Sequence, residues 1–292
     1  MAIKIIQNKN LLLKVSPEMG ASVIQFLEKK QNIDIFRPLD NNKKINKFNS
    51  YFTGYFATVP YFGPIRKKSF YDHKEGGYIS LRNNHIFEPE TIHGEGWINK
   101  WKINKITKNS IELFFNHNGR KGFPRIYKST QKFKLIKNSL IITISVENLD
   151  KYSFDCGIGF HPWFNLDPNS KIYSNSFNYL YEQKSNNFKK TKYSKKKFIN
   201  LNKYKIDKTF LNWNGKSKLT INKDVSLNII NNKNIKNLHV YSPPKEDFFC
   251  IEPVTNAADA YYLKKIGRKD HGLLSLKPNK KLEAVCEFEV LT

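Results

Sequence analysis

The strongest constraint on this chain is an alternation with a period of two. Near the C-terminus Leu282, Ala284, Cys286, Phe288 and Val290 alternate with Lys281, Glu283, Glu287 and Glu289. That spacing puts the apolar set on one face of a β-strand and the charges on the other. Leu140, Ile142, Ile144 and Val146 repeat the pattern after Phe133-Lys134-Leu135 and a Lys137-Asn138-Ser139 turn, which reads as a β-hairpin. Further short strands are expected at 101–106, 110–115, 219–221, 225–229 and 238–241. Asn118-Gly119, Asn214-Gly215, Pro243-Pro244 and Pro278-Asn279 punctuate them as turns. No amphipathic helix longer than a few turns stands out. Many strands without interleaved helices predict an all-β sandwich or barrel, and the lack of a fixed repeat disfavours a propeller. The Lys/Asn/Ser-rich stretch from Lys184 to Lys205 still carries Phe188, Tyr193, Phe198 and Tyr204. It reads as an exposed loop or strand edge inside a single domain spanning 1–292, where lysines oppose edge-to-edge pairing.

Charge narrows the partners. The chain holds 50 Lys+Arg against 25 Asp+Glu, a formal net charge of +25 that invites a nucleic-acid reading. Arginine is scarce, however: Arg37, Arg66, Arg82, Arg120, Arg125 and Arg268 are all of it. Bidentate base and phosphate contacts need the guanidinium fork, which lysine lacks. Lysine here travels with Asn and Ile, as in Asn41–Lys47 and Asn231–Asn237, residues that share AT-rich codons. A solvated lysine surface is the better reading, and no nucleic-acid partner is expected. No apolar run approaches the ~20 residues that span a bilayer, so no membrane association is expected. The first residues lack a secretory h-region, and Cys156, Cys250 and Cys286 are too few and too scattered for a disulfide or zinc framework. Both features predict a reducing, cytoplasmic setting.

There is no HExxH, Walker A loop, GxGxxG fingerprint or GxSxG elbow. Four segments remain. In Thr91–Trp101, glycines flank His93 and Glu95 with two tryptophans nearby; this suits a sugar face, and equally a tight turn over core tryptophans. His161 sits between a glycine-spaced strand and Pro162-Trp163-Phe164, where a ligand and a hydrogen-bonded core histidine are both open. Glu252 follows Phe248-Phe249-Cys250-Ile251, so its carboxyl is expected to be desolvated and raised in pKa, which points to a task. Asp207, before Phe210 and Trp213, reads as a hydroxyl ligand or as a turn residue beside Lys208.

In this order the segments resemble the aldose 1-epimerase (galactose mutarotase) family, in particular its bacterial aldose-1-epimerase-like branch. His93-Gly94 followed by Trp101 is similar to the family's His-Gly and Trp, and His161-Pro162-Trp163-Phe164 to its His-Pro-Tyr-Phe. Glu252-Pro253 and Leu276-Lys277-Pro278-Asn279 resemble its Glu-Pro and Leu-x-Pro-Gly. Pro17–Ala21 and Val59–Arg66 are similar to its opening strand and its Asn-Arg-Ile turn, although Gly63-Pro64 replaces the turn's arginine. The resemblance implies a β-supersandwich of many short strands with a sugar cleft on one face. It also implies interconversion of α and β anomers of a free aldose without metal or organic cofactor. By the same resemblance, Glu252 is the general base at the C1 hydroxyl and His161 the general acid at the ring oxygen. His93 and Asp207 bind sugar hydroxyls, with Arg66 standing in for the missing arginine. The expected assembly is a monomer or homodimer.

Two alternatives stay open: a hexose-6-phosphate mutarotase, if the cleft is basic, and a non-catalytic carbohydrate-binding protein of the same fold.

Overall fold

The computed structural model describes residues 2–39, 49–85, 88–119, 122–175, 178–182, 188–192, 198–203, 205–231 and 234–292. Two antiparallel sheets of eleven and nine strands dominate it, with three two-stranded ribbons and one short helix, Ala260–Lys265.

The alternation found in the sequence builds the nine-stranded sheet. Ser139–Asn148 pairs with Ile126–Ile136 on one side and with Lys281–Leu291 on the other. Leu140, Ile142, Ile144 and Val146 are fully buried, as are Ala284, Cys286 and Phe288. The expected strands at 101–106, 110–115, 219–221, 225–229 and 238–241 are present as Lys102–Ile106, Ser110–Asn118, Lys216–Thr220, Ser226–Asn231 and Asn237–Ser242.

The eleven-stranded sheet runs Lys4–Gln7, Leu11–Ser16, Ser22–Glu28, Tyr55–Thr58, Gly159–Asn165, Phe248–Val254, Asn237–Ser242, Ile206–Leu211, Asn178–Glu182 and Phe188–Lys192. Ile33–Phe36 pairs off this path with Ser22–Glu28. The two sheets face each other through large apolar side chains. Phe36 meets Phe288 edge-on at 5.2 Å, and Tyr55 meets Phe133 at 5.9 Å. Burying such a ring stabilises by roughly 1.5–3 kcal/mol, so this interface is the main source of stability. The all-β supersandwich expected from the sequence is the observed architecture.

Within Lys184–Lys205, the residues 184–187, 193–197 and 204 lie outside the described set. The described parts are terminal strands: Phe188–Lys192 ends the larger sheet and Phe198–Asn200 the smaller one. Among the described residues no helix is long and apolar enough to cross a membrane.

Candidate functional site

The strand pair Gly159–Asn165 and Phe248–Val254 is buried on both faces. Phe160 and Phe164 point into the sandwich core with Phe249 and Ile251, and Phe164 stacks on Phe249 at 5.2 Å. Period two then sends His161 and Trp163, with Cys250 and Glu252, to the opposite face. The register aligns them: Gly159 lies against Val254 and Trp163 against Cys250, so His161, midway, falls opposite Glu252. The ladder continues sideways, with Phe56 against His161, His239 against Glu252 and Thr209 against His239. One residue pair along, Cys250 faces Tyr241, which faces Asp207. Four adjacent strands thus each contribute two side chains to a grid.

Above the grid lies a cleft of about 1070 Å³, lined by His93, His161, Asp207, His239, Glu252 and Arg66 together with Tyr51, His85, Trp163 and Phe248. All five candidate residues from the sequence therefore reach one cavity.

His161 Nε2 lies 3.4 Å from Glu252 Oε2. Both side chains are nearly inaccessible, and neither His161 Nδ1 nor Glu252 Oε2 has a hydrogen-bond partner. The imidazole is held by rings: it stacks on Trp163 at 5.2 Å and on Phe56 at 4.4 Å, and meets His93 edge-on at 5.0 Å. Burial, reinforced by the Asp207 charge, pushes the Glu252 carboxyl well above the ordinary carboxylate range. Burial, reinforced by His93 and His239, pushes His161 well below the ordinary imidazole value. Both shifts favour the uncharged forms, with the pair's exchangeable proton on the carboxyl.

His93 stands on a left-handed turn, with φ of 58° followed by 68° at Gly94. A Cβ on Gly94 would lie 2.1 Å from the Val59 carbonyl oxygen, so only glycine lets these strands approach. His93 Nδ1 accepts the Gly63 N–H at 3.2 Å, which leaves the ring proton on Nε2. Burial lowers its pKa to about 3, so His93 is a fixed neutral donor at physiological pH. The nearby Trp97 and Trp101 are core residues whose indole N–H groups donate to the Ile92 and Gly96 carbonyls. Glu95, pushed up to about 7 by burial, does not line the cleft.

Asp207 is open to the cleft mouth, its side chain 68% exposed, and lies 3.3 Å from His239 Nε2. The His239 contact holds its carboxyl below the usual range. His239 Nδ1 in turn meets the Thr209 hydroxyl at 2.9 Å, and that oxygen accepts the Ala258 N–H at 3.1 Å. Arg66 lines the cleft, but its guanidinium grips Asp259 through two bonds of 2.9 and 2.7 Å.

Sequence reasoning missed His239, Tyr51, His85 and Arg37. His239 left a readable signal: in Leu238-His239-Val240-Tyr241 it shares parity with Tyr241 inside an otherwise apolar strand. Tyr51 and His85 come from irregular segments with no periodicity to read. Arg37 packs beside the grid, its guanidinium 4.3 Å from the Trp163 ring and 4.8 Å from that of Phe248.

Comparison with known proteins bears on the fold and the family. YphB of Escherichia coli (strain K12), itself uncharacterised, is 24% identical over 221 residues, 71% of this chain and 74% of its own. The crystal structure of a galactose mutarotase-like protein from Clostridium acetobutylicum matches with a TM-score of 0.82 and 18% identity, covering 100% of this chain and 99% of its own. One from Lactobacillus casei ATCC 334 matches at 0.77 and 16%, covering 99% and 100%. These likenesses establish the fold. The family model described as aldose 1-epimerase matches residues 1–289. With its two-sheet sandwich and a cleft floored by four neighbouring strands, this chain belongs to the aldose 1-epimerase family.

Proposed function

We propose that the protein is a mutarotase that interconverts the α and β anomers of a free aldose, with Glu252 and His161 as its acid–base pair. The observation that carries this reading is the 3.4 Å approach of His161 Nε2 to Glu252 Oε2, two buried ionisable groups side by side at the floor of the cleft. Ring opening needs one group to take the O1 proton and another to deliver a proton to O5. The C1–O5 bond then breaks as the C1 carbonyl forms. Rotation about C1–C2 turns the other carbonyl face to the C5 hydroxyl, and closure returns both protons. No net proton is consumed.

Glu252 is the base at O1 and His161 the acid at O5, once the shared proton has crossed to the imidazole. Each such contact contributes ~10²–10⁴-fold. His93 donates through Nε2–H to a sugar hydroxyl, Asp207 accepts from another at the mouth, and Arg66 meets the sugar from the rim. The whole chain serves as one domain, working in the cytoplasm on a small uncharged sugar, as monomer or homodimer.

Lining charge favours a free sugar over its 6-phosphate. Glu88, Glu90, Asp207, Glu246 and Asp259 line the cleft, against Arg66 and no described lysine. The described lining is therefore acidic where phosphate recognition needs cations. Polarimetry or NMR on freshly dissolved α-glucose and α-galactose tests the reading, with wild type, His161→Ala and Glu252→Gln compared. Acceleration over buffer by wild type alone is the expected result. Equilibration no faster than buffer across a panel of aldoses rejects catalysis and leaves a sugar-binding protein.

A further inference from the structure

We infer that Cys250, Glu252 and His161 form a binding site for a soft divalent transition-metal ion, Zn²⁺ fitting best, and that its occupancy switches the acid–base pair off. Metal binding goes beyond the mutarotase reading, whereas the inhibition rests on it.

The three ligand atoms lie within 4.8 Å of one another, all on buried side chains. Register explains the cluster: Cys250 and Glu252 are two apart on one strand, and His161 falls opposite Glu252 on the next. Tetrahedral zinc with bonds of ~2.0–2.3 Å needs ligand atoms ~3.3–3.8 Å apart. His161 Nε2 and Glu252 Oε2, at 3.4 Å, already meet that spacing. From a separation of at most 4.8 Å the thiol has to close by no more than about 1.5 Å.

A second observation points to a ligand. Glu252 Oε2 and His161 Nδ1 are buried without a hydrogen-bond partner, on side chains 2% and 6% exposed. Orphaned polar atoms at such depth are expensive, and a cation beside the Glu252 oxygen relieves the larger part of that cost. One sulfur, one imidazole nitrogen and one carboxylate oxygen select Zn²⁺ or Co²⁺ over Mg²⁺ or Ca²⁺. Charge also balances. The thiol and carboxyl protons leave to solvent, and thiolate plus carboxylate neutralise the ion. His161 and Glu252 line the cleft, which supplies the path in and the fourth coordination position.

Cysteine location separates this site from chance binding. Cys156 and Cys286 are buried in the core, away from any such cluster among the described residues. Reduced, chelator-stripped protein titrated with Co²⁺ alone is expected to bind one equivalent. A thiolate-to-cobalt charge-transfer band and tetrahedral visible bands should appear, and Zn²⁺ should displace the ion.

Cys250→Ala should abolish the charge-transfer band and weaken Zn²⁺ binding by at least about 10–100-fold, while Cys286→Ala keeps both. Should Cys250→Ala misfold by circular dichroism, Glu252→Gln serves in its place and should weaken Co²⁺ binding to the same degree. In mutarotation assays, micromolar-to-millimolar Zn²⁺ should inhibit wild type and do so less in Cys250→Ala. An octahedral, sulfur-free cobalt spectrum, or one unchanged in Cys250→Ala, overturns the site. A protein that binds Co²⁺ as described but never accelerates mutarotation keeps the site and loses the enzyme reading. An active enzyme without the cobalt band does the reverse.

Discussion

Two antiparallel strand pairs in this molecule have the same backbone geometry and opposite chemistry. Ser139–Asn148 with Lys281–Leu291 buries one apolar face and shows lysine and glutamate to water. Gly159–Asn165 with Phe248–Val254 is buried on both sides, and its second face carries His161, Trp163, Cys250 and Glu252. The first pair satisfies every rule of strand patterning. The second violates one, placing ionisable groups where neither water nor a full set of partners meets them. Protein sites are where such violations are kept, because a desolvated carboxyl and imidazole are reactive in proportion to their discomfort.

The sharpest way to break this contrast is to remove its chemistry. Glu252→Gln and His161→Gln should each lower kcat by ~10²–10⁴-fold, or about 3–5 kcal/mol in barrier, with folding intact. Stopped polarimetry on purified, folded variants decides it, and full activity in either ends the assignment of roles. The opposite perturbation, Phe288→Ala in the other pair, should cost about 3–5 kcal/mol of stability because it empties the contact with Phe36. Activity per folded molecule should stay put, and urea unfolding combined with an active-fraction assay shows whether it does.

Stability should move the other way at the site. Native Glu252 holds its proton well above the ordinary carboxylate pKa, so the unfolded chain loses that proton first as pH rises. Wild-type stability therefore falls as pH climbs past the ordinary value of about 4.3, at up to about 1.4 kcal/mol per pH unit until the native group titrates. Glu252→Gln carries no such burden. Its advantage over wild type in denaturant midpoint should grow from pH 4.5 to pH 7, and a gap independent of pH contradicts the buried neutral carboxyl.

The same two shifts set a pH profile for chelator-treated enzyme. Activity should fail on the acid side only when His161 protonates, well below the ordinary imidazole range. It should fail on the alkaline side when Glu252 loses its proton, above the ordinary carboxylate range. An acid limb centred at the ordinary imidazole value of about 6.5 would contradict the lowered His161. The smallest effect belongs to Arg66. Because Asp259 already occupies its guanidinium, Arg66→Ala should raise KM by about fivefold at most, worth ~1 kcal/mol. Unchanged KM removes Arg66 from the sugar contacts.

Each strand of the first pair was legible in the sequence, since apolar residues at every second position have one structural meaning, but their pairing across about 140 residues was not. The second was legible only through its chemistry. Phe248–Val254 is apolar at nearly every position, so parity says nothing about which face is core, and Glu252 alone betrays the other side. That His161 stands opposite Glu252 depends on a register between strands about ninety residues apart, which no local pattern encodes. His239 was hidden for a related reason: its partners, Asp207 and Thr209, lie on a neighbouring strand and only the ladder joins them. The depressed pKa of His161 follows from burial by Phe56, Trp163 and His93, three rings from three separate segments.

The cleft draws its walls from two kinds of backbone. Glu252, His161, His239 and Asp207 stand on hydrogen-bonded strands whose reverse faces form the sandwich core, whereas Tyr51, His85, His93 and Arg66 come from short irregular segments around it. A substitution in the floor is therefore felt by the entire sandwich, and one in the walls stays local. On the proposed function, sugar preference would then be free to drift while the acid–base floor stays fixed. Grafting the 60–66 and 84–95 segments from a relative should carry over its taste in substrates and leave the bond-breaking step where it was.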